Sequence, residues 1–196
     1  MNKFVTFAAP LMLSGLLAGC ISFGATPPDT LLTLTPEAAL AVGPRQSAAG
    51  ARAIVVSIPI TSASLAVTRV PVQSSPTAIA YLKDAQWAEP PARLVARLVS
   101  DTLVARGQVV VSQVQAIGEA NDQLDGELRN FGLDATTREA VVTYDASLAR
   151  GGSQTTERRR FEARVPVAAI DAVSTGPALN QAANRVAGEV AAWIAG

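Results

Sequence analysis

The amino-acid sequence predicts a single α+β domain in which a mostly antiparallel sheet packs against two amphipathic helices. Two observations lead to this prediction. Several segments alternate apolar and polar residues with a period of two and are bounded by turn signals, as strands of antiparallel pairs do. Two other segments, one central and one at the end of the chain, carry apolar residues at helical spacing and would cover the apolar face of the sheet.

The first 19 residues are typical of a bacterial lipoprotein signal peptide. A cationic start at residues 1–3 precedes a mostly apolar stretch at residues 4–17, which is too short to span a membrane. The stretch ends in Leu17-Ala18-Gly19-Cys20. These four residues resemble the lipobox, the motif in which the cysteine thiol is acylated and the chain is cut just before it. The alternative is an ordinary signal peptide in which the only cysteine falls here by chance.

Cys20 is therefore the predicted lipid attachment site, with palmitate or related acyl chains as the membrane anchor. Residues 20–30 are predicted to form an extended periplasmic tether, and residues 31–196 one domain. The residue after the cysteine is Ile21 rather than Asp. By resemblance to enterobacterial lipoproteins, this favours the inner leaflet of the outer membrane, with the domain facing the periplasm.

The first half of the domain contains four strand candidates. A short one at residues 31–34 precedes a loop rich in Ala, Gly and Pro at residues 36–50. Residues 52–60 are largely apolar and β-branched, which predicts a buried strand. Weaker candidates lie at residues 65–72 and 77–82, where prolines interrupt the pattern.

The clearest helix is predicted from Pro90-Pro91 to about Arg106. Proline suits the first helical turn, where its missing N–H is not needed. Gly107 then supplies the left-handed residue that commonly ends a helix. A strand is predicted to follow at residues 108–114. The apolar stripe of the helix consists of Leu94, Val95, Leu98, Thr102 and Ala105.

The second half of the sheet shows the most regular alternation. Apolar positions alternate at residues 124–128 and resume one position out of phase at residues 131–133. A β-bulge near Arg129-Asn130 would explain the slip. Residues 140–148 alternate without interruption, and Gly151-Gly152 then predicts a hairpin turn.

A returning strand and a last helix complete the predicted domain. The strand, at about residues 154–165, would place Phe161, Ala163 and Val165 on one face and Arg160, Glu162 and Arg164 on the other. The helix is predicted from Pro177 to about Ile194. Its apolar stripe consists of Leu179, Ala183, Val186, Val190 and Trp193 or Ile194.

The composition excludes several classes of function. The 196 residues include no histidine and one cysteine, which excludes a Ser-His-Asp relay, a His-ligated metal, an internal disulfide and a thiolate cluster. The 16 basic and 16 acidic residues give no net charge, which argues against a nucleic-acid partner. Because no catalytic or nucleotide-binding motif occurs either, we expect no enzymatic activity and no cofactor besides the acyl chains on Cys20.

Two charged clusters have simple interpretations. Asp122, Asp125 and Glu127 lack the spacing of a Ca²⁺-binding loop, so we expect them to lie on a solvated strand face. The run Arg158-Arg159-Arg160 would suit a phosphate or a lipid headgroup. As alternating positions on an exposed hairpin arm, however, it needs no special role.

The aromatic residues Trp87 and Trp193 are expected in the core or as caps over it. Some side chains nevertheless stand out as candidates for contact with a partner protein. These candidate partner contacts are Tyr81, Trp87, Arg158 and Arg159.

The order of these features resembles the ABC-type transport auxiliary lipoprotein family. The lipobox is followed by Leu32-Thr33-Leu34, by Val56-Ser57-Ile58-Pro59, and by Trp87-Ala88-Glu89-Pro90 ahead of the long helix. The last of these blocks is the most specific. Residues 124–131 match the family's L-x-[GV]-x-[LI]-x-x-F segment, and residues 178–194 match its closing Ala-rich helix.

The resemblance implies a non-enzymatic docking lipoprotein of an Mce-type (mammalian cell entry) ABC system for intermembrane lipid transport. The implied partners are an Mce-domain protein and an inner-membrane permease and ATPase, besides the membrane that holds the anchor. Contact between copies of the chain is compatible with this role. Two alternatives stay open: an envelope-assembly or structural lipoprotein, and a lipid-binding module with a pocket of its own.

Overall fold

The structure is a computed structural model that describes residues 28–38, 43, 53–116 and 121–196. Within these ranges the chain forms eight strands and two helices. In chain order the elements are β1 (Ile54–Val56), β2 (Ile60–Thr61), β3 (Arg69–Ser75), β4 (Ala78–Gln86), α1 (Pro91–Ala105), β5 (Val110–Val111), β6 (Asp122–Asp134), β7 (Glu139–Ala149), β8 (Thr156–Pro166) and α2 (Ala172–Ala195).

The long strand β6 lies at the centre of the sheet. Along one edge it pairs antiparallel with β7, which pairs antiparallel with β8. Along its other edge it pairs parallel with β1, β2 and β3 in turn. The sheet is extended by β4, antiparallel to β3, and by β5, parallel to β1. The predicted α+β class is confirmed. The parallel pairs are short, and the chain crosses over between the two strands of each pair. The alternation of residues within one strand does not reveal such a pairing.

The bulge predicted in the middle of β6 is confirmed. The register of β6 against β7 shifts between Leu128 and Asn130, so Arg129 is the extra residue. The shift brings Leu128 and Phe131 onto the same face of the strand, where both are almost fully buried. It also leaves Arg129 and Asn130 together on the opposite face, which matters for the surface described below.

The first helix follows the prediction closely. Proline occupies its first turn, and Gly107 adopts a φ of +84° just beyond the C-terminal residue Arg106. Leu94 and Leu98 are each 2% exposed, so the predicted apolar stripe faces the core.

The second helix begins five residues earlier than the predicted start at Pro177. The carboxylate of Asp171 accepts a hydrogen bond from the backbone N–H of Ser174 at 2.7 Å and caps the helix. Pro177 therefore lies in the second turn, where it removes one backbone hydrogen bond without ending the helix. The cap, rather than the proline, determines where α2 starts.

Several predicted strands are wrong in extent. The strand predicted at residues 65–72 corresponds to β3, which begins only at Arg69, and the strand predicted at residues 108–114 is reduced to the two residues of β5. Residues 31–34 form no strand, since Leu32 alone makes an isolated parallel bridge, to Trp87. The predicted buried strand at residues 52–60 is divided into β1 and β2 on either side of Pro59, which lacks the N–H that a ladder requires. Ile58 and Ile60 are exposed as a result.

Both helices and the inward side of the sheet share one apolar core. Trp87 is 1% exposed, and its ring lies 5.1 Å from that of Phe131, centroid to centroid. Trp193 is half-buried at the rim of the core, with its ring 5.6 Å from that of Phe161. The expectation that both tryptophans belong to the core or cap it is confirmed.

Candidate docking surface

One face of the sheet carries no helix within the part of the chain that the structure describes. In β8, Phe161, Ala163 and Val165 point into the core, and the charged residues that alternate with them are exposed, as predicted. We call the side of β6, β7 and β8 that faces away from the core the helix-free face. Its charged and polar side chains are Asp125, Glu127, Arg129, Thr143, Asp145, Arg158, Arg160, Glu162 and Arg164.

Asp145 lies at the centre of this face, between two arginines. The Nε and Nη2 atoms of Arg160 donate to the two carboxylate oxygens of Asp145 at 2.6 and 2.7 Å. Arg129, the bulge residue, approaches the same carboxylate to 3.8 Å and donates to Glu127 at 3.2 Å. The hydrogen bond from Arg160 lowers the pKa of the Asp145 carboxyl below its ordinary value, so this carboxylate stays charged and holds both guanidinium groups in place.

A second network lies nearer the other end of β8. Arg164 donates to Glu162 at 2.8 Å and to Glu139 at 3.3 Å. Thr143 donates its hydroxyl to the other oxygen of Glu162 at 2.9 Å. These hydrogen bonds, first the one from Arg164, lower the pKa of the Glu162 carboxyl. The charged side chains of the helix-free face are therefore held in place by hydrogen bonds to one another.

Two open clefts lie on this face, and Arg129 lines both of them. The larger has a volume of about 740 Å³ and contains Ile58 and Ile60, surrounded by charged residues of β6, β7 and β8. We call it the isoleucine cleft. Ile58 is 57% exposed and Ile60 70% exposed. The smaller cleft, of about 520 Å³, contains Ile79 beside Gly132. Exposed apolar side chains inside a charged rim are the usual composition of a protein interaction surface.

The sheet beneath the isoleucine cleft is closely packed. A Cβ atom at Gly126 would lie 2.5 Å from the carbonyl oxygen of Asp145 and 2.5 Å from the ring of Tyr144. The buried Tyr144 hydroxyl donates to the carbonyl oxygen of Asp125 at 3.2 Å, and burial raises the pKa of this phenol. The absence of a side chain at Gly126 is therefore what admits the tyrosine ring.

The two candidate partner contacts in β8 lie beside the isoleucine cleft. Arg158 is on the helix-free face, where its Nε donates to the hydroxyl of Ser147 at 3.1 Å. The guanidinium of Arg159 points to the other side of the sheet, 5.0 Å from the ring centroid of Phe161. Only Arg158 of the pair thus presents its charge on the same face as the isoleucines.

The other candidates lie elsewhere. Tyr81 is half-buried in β4, with the guanidinium of Arg69 3.8 Å above its ring. Trp87 is 1% exposed, so its side chain would reach a partner only by leaving the core.

The predicted lipid attachment site, Cys20, lies outside the described residues, as do the signal peptide and most of the predicted tether and 36–50 loop.

The structure corrects the prediction for Asp122. This residue is 8% exposed rather than solvated, and its carboxylate accepts hydrogen bonds from Arg150 at 3.1 Å and from the backbone N–H of Gly151 at 2.8 Å. The three acidic residues therefore do not act as a cluster, because Asp122 is turned toward the β7–β8 turn. In the described ranges, no group of three or more His, Cys, Asp or Glu side chains could hold a metal ion.

Sequence reasoning missed Ile58 and Ile60 as surface residues. Their apolar, β-branched type favours burial, and only Pro59 between them indicated that the ladder would break here.

Neither of the described helices is both long and apolar enough to cross a membrane.

Comparison with known proteins identifies the family. The family model described as the ABC-type transport auxiliary lipoprotein component matches residues 32–191, most of the chain. The chain belongs to this family. The protein is therefore a lipoprotein component associated with ABC-type transport, and the predicted family resemblance is confirmed. None of the curated proteins matches the chain.

Two solved structures are similar to the chain. One is the crystal structure of protein XCC0632 from Xanthomonas campestris, of family DUF330; it is 20% identical, with a TM-score of 0.71 over 84% of this chain and 94% of that one. The other is the crystal structure of an uncharacterized protein, 20% identical, with a TM-score of 0.64 over 73% of this chain and 92% of that one. At this identity the likeness shows the fold.

Proposed function

We infer that the protein is a non-enzymatic docking component of an Mce-type ABC system for intermembrane lipid transport. In this proposal, acyl chains on Cys20 hold it in the inner leaflet of the outer membrane, with the domain in the periplasm. The observation that carries the proposal is the family match over residues 32–191, preceded in the sequence by a lipobox. Its partners would be an Mce-domain protein and the permease and ATPase of the inner membrane.

The helix-free face is the surface that best suits docking. Ile58 and Ile60 would supply the apolar centre of an interface, where most of the binding energy of a protein complex arises. The paired charges around them would form the polar rim. Because Arg129 and Arg160 are already held by Asp145, ordering them on binding would cost little conformational entropy.

Site-specific cross-linking in cells tests this proposal. A photoreactive amino acid would replace Ile60 in the full-length lipoprotein, and the captured proteins would be identified by mass spectrometry. Val114 provides the matched control, because it is an apolar side chain of similar size, 77% exposed, outside the helix-free face. We expect an Mce-domain protein and its permease from position 60 and neither from position 114.

Three other results would contradict the proposal. Recovery of outer-membrane assembly machinery alone would favour the structural or assembly role. Copies of this chain as the sole product would make the helix-free face a contact between protomers. Equal recovery from both positions would show that the helix-free face has no special role.

A substitution measures the contribution of the isoleucines. Ile60→Glu would place a charge at the centre of the interface, and we expect docking to weaken at least about tenfold. Val114→Glu should leave docking unchanged. The folded state of both variants can be compared by their melting temperatures, since both positions are exposed and neither change should move them by more than a few degrees.

A further inference from the structure

A segment near the start of the described chain lies across the final helix. Residues 31–37 run in an extended course, with exposed and half-buried residues alternating along them, although they belong to no sheet. Leu32 and Leu34 are the half-buried leucines and pack against the core. We call residues 31–37 the strap.

Two asparagine side chains of α2 hold one end of the strap. Asn184 accepts from the backbone N–H of Glu37 at 2.8 Å and donates to the carbonyl oxygen of Thr35 at 2.9 Å. Asn180 accepts from the backbone N–H of Thr35 at 2.8 Å. The side-chain amides thus satisfy backbone groups of the strap as a neighbouring strand would. Asn184 is 8% exposed and also donates to the carbonyl of Asn180, so its burial depends on these partners.

The other end of the strap is held at Leu32. Its N–H donates to the carbonyl oxygen of Gln86 at 2.7 Å, and its own carbonyl accepts from the N–H of Ala88 at 2.9 Å. The leucine side chain lies directly over Gly176 of α2, where an added Cβ would come within 2.9 Å of it. Both ends are therefore fixed to parts of the chain far away in sequence.

The position of the strap between the proposed anchor and the domain gives it a consequence for function. We propose that the strap determines how far the domain can stand from the membrane: the contacts of Leu32 hold its end nearer the anchor, and Asn180 and Asn184 are the positioning residues that hold its other end. This inference rests on the proposed function, because it takes acylated Cys20 as the point of attachment. A docked strap holds the chain at Leu32, 12 residues after Cys20, whereas with the strap released the first described residues held in the sheet are those of β1.

Covalent geometry gives the size of the effect. The 12 residues from Cys20 to Leu32 span at most about 40 Å, whereas the 33 residues from Cys20 to Ala53 span at most about 110 Å. Docking of the strap therefore limits the distance at which the helix-free face can meet a partner.

Hydrogen exchange of the purified full-length protein tests the clamp itself. In the variant Asn180→Ala with Asn184→Ala, the amides of Thr35 and Glu37 should exchange roughly tenfold faster or more. Asn180→Ala alone removes the acceptor for Thr35 and keeps both bonds of Asn184 to the strap, so Thr35 should exchange faster while Glu37 keeps its wild-type rate. Gln181→Ala, on the exposed side of the same helix, is the control and should leave these rates unchanged.

Energy transfer to the membrane tests the reach. The lipidated full-length chain would be placed in vesicles of phosphatidylethanolamine and phosphatidylglycerol that contain an acceptor-labelled lipid. Because Cys20 is the only cysteine and acylation blocks it, Val114→Cys supplies a single thiol for the donor dye. We expect a variant that frees both ends of the strap, Leu32→Asp with Asn180→Ala and Asn184→Ala, to transfer less energy than the wild type. The double asparagine variant, in which Leu32 stays bonded to Gln86 and Ala88, and the Gln181→Ala protein should both match the wild type.

The outcomes separate the clamp from the anchor. Unchanged exchange at Thr35 and Glu37 in the double asparagine variant would overturn the clamp, and unchanged energy transfer in the variant that frees both ends of the strap would overturn its effect on reach. Failure of the wild-type chain to acquire acyl groups would instead refute the anchor at Cys20 and with it the proposed function. A loss of exchange protection throughout the core would indicate unfolding, and Asn180→Ala alone then provides the deciding measurement.

Discussion

Replacement of Asp122 by alanine tests whether one partly buried ion pair joins the end of the sheet to the last helix. Asp122 accepts hydrogen bonds from Arg150 and from the N–H of Gly151. Arg150 in turn donates to the carbonyl oxygen of Ile194, in the last turn of α2, at 2.9 Å. A single carboxylate thus connects the start of β6, the β7–β8 turn and the C-terminal end of α2.

The expected magnitude follows from the groups that lose their partner. Asp122→Ala leaves the Gly151 N–H without this acceptor and leaves Arg150, whose side chain is 32% exposed, without its carboxylate. Hydrogen bonds to a charged group contribute about 1.5–3 kcal/mol each, and partial exposure of the arginine reduces the total. We expect the free energy of unfolding to fall by about 3 kcal/mol. For a domain of this size, that lowers the melting temperature by roughly 9 °C.

Urea unfolding, followed by the fluorescence of Trp87 and Trp193, measures the change. Asp125→Ala is the control, because its carboxylate bonds to the side chain of Gln123 on the same strand and should change stability by no more than about 0.5 kcal/mol. A loss below about 1 kcal/mol for Asp122→Ala would refute the reasoning. So would the absence of coupling to Arg150→Ala in a double-mutant cycle.

Three further predictions concern charge, the core and the anchor. Because arginine hydrogen bonds lower the pKa of Asp145 and Glu162, these carboxyls stabilise the fold fully above their ordinary pKa values of 3.8 and 4.5, and the contribution is lost as pH falls through the lowered values. Asp145→Asn with Glu162→Gln should therefore flatten the acid limb of the stability curve; an unchanged limb would contradict this. Leu94→Asp with Leu98→Asp should abolish cooperative melting, since both positions are 2% exposed, and an unaltered melt would show that this helix face is not buried. Cys20→Ala should move the protein out of the membrane fraction or leave it unprocessed, whereas normal acyl labelling of that variant would exclude this cysteine as the anchor.

Local patterns in the sequence were sufficient for the elements whose signals lie within a few residues of one another. The start of α1 at a proline, its end just before Gly107 and its buried stripe all follow from helical periodicity and backbone preference. The bulge at Arg129 follows from a change of phase in an alternating strand. The hairpin of β7 and β8 follows in the same way, with Gly152 at a φ of +78° in its turn. The family was predicted from the order of such blocks.

The candidate docking surface depended on contacts that no local pattern contains. Ile58 and Ile60 are exposed because the short strands β1 and β2 pair with β6 separately. A run of apolar residues in the sequence does not show which strand it will pair with. Burial of Asp122 depends on Arg150, which lies beyond the whole of β7.

The strap shows the same limit most clearly. Residues 31–34 have the composition of a strand, and the sequence alone predicted one. The hydrogen-bond partner of Thr35, however, is Asn180, which is 145 residues away on a helix. Periodicity determines which face of an element is apolar, whereas only the folded chain determines what that face, or a backbone N–H, will meet.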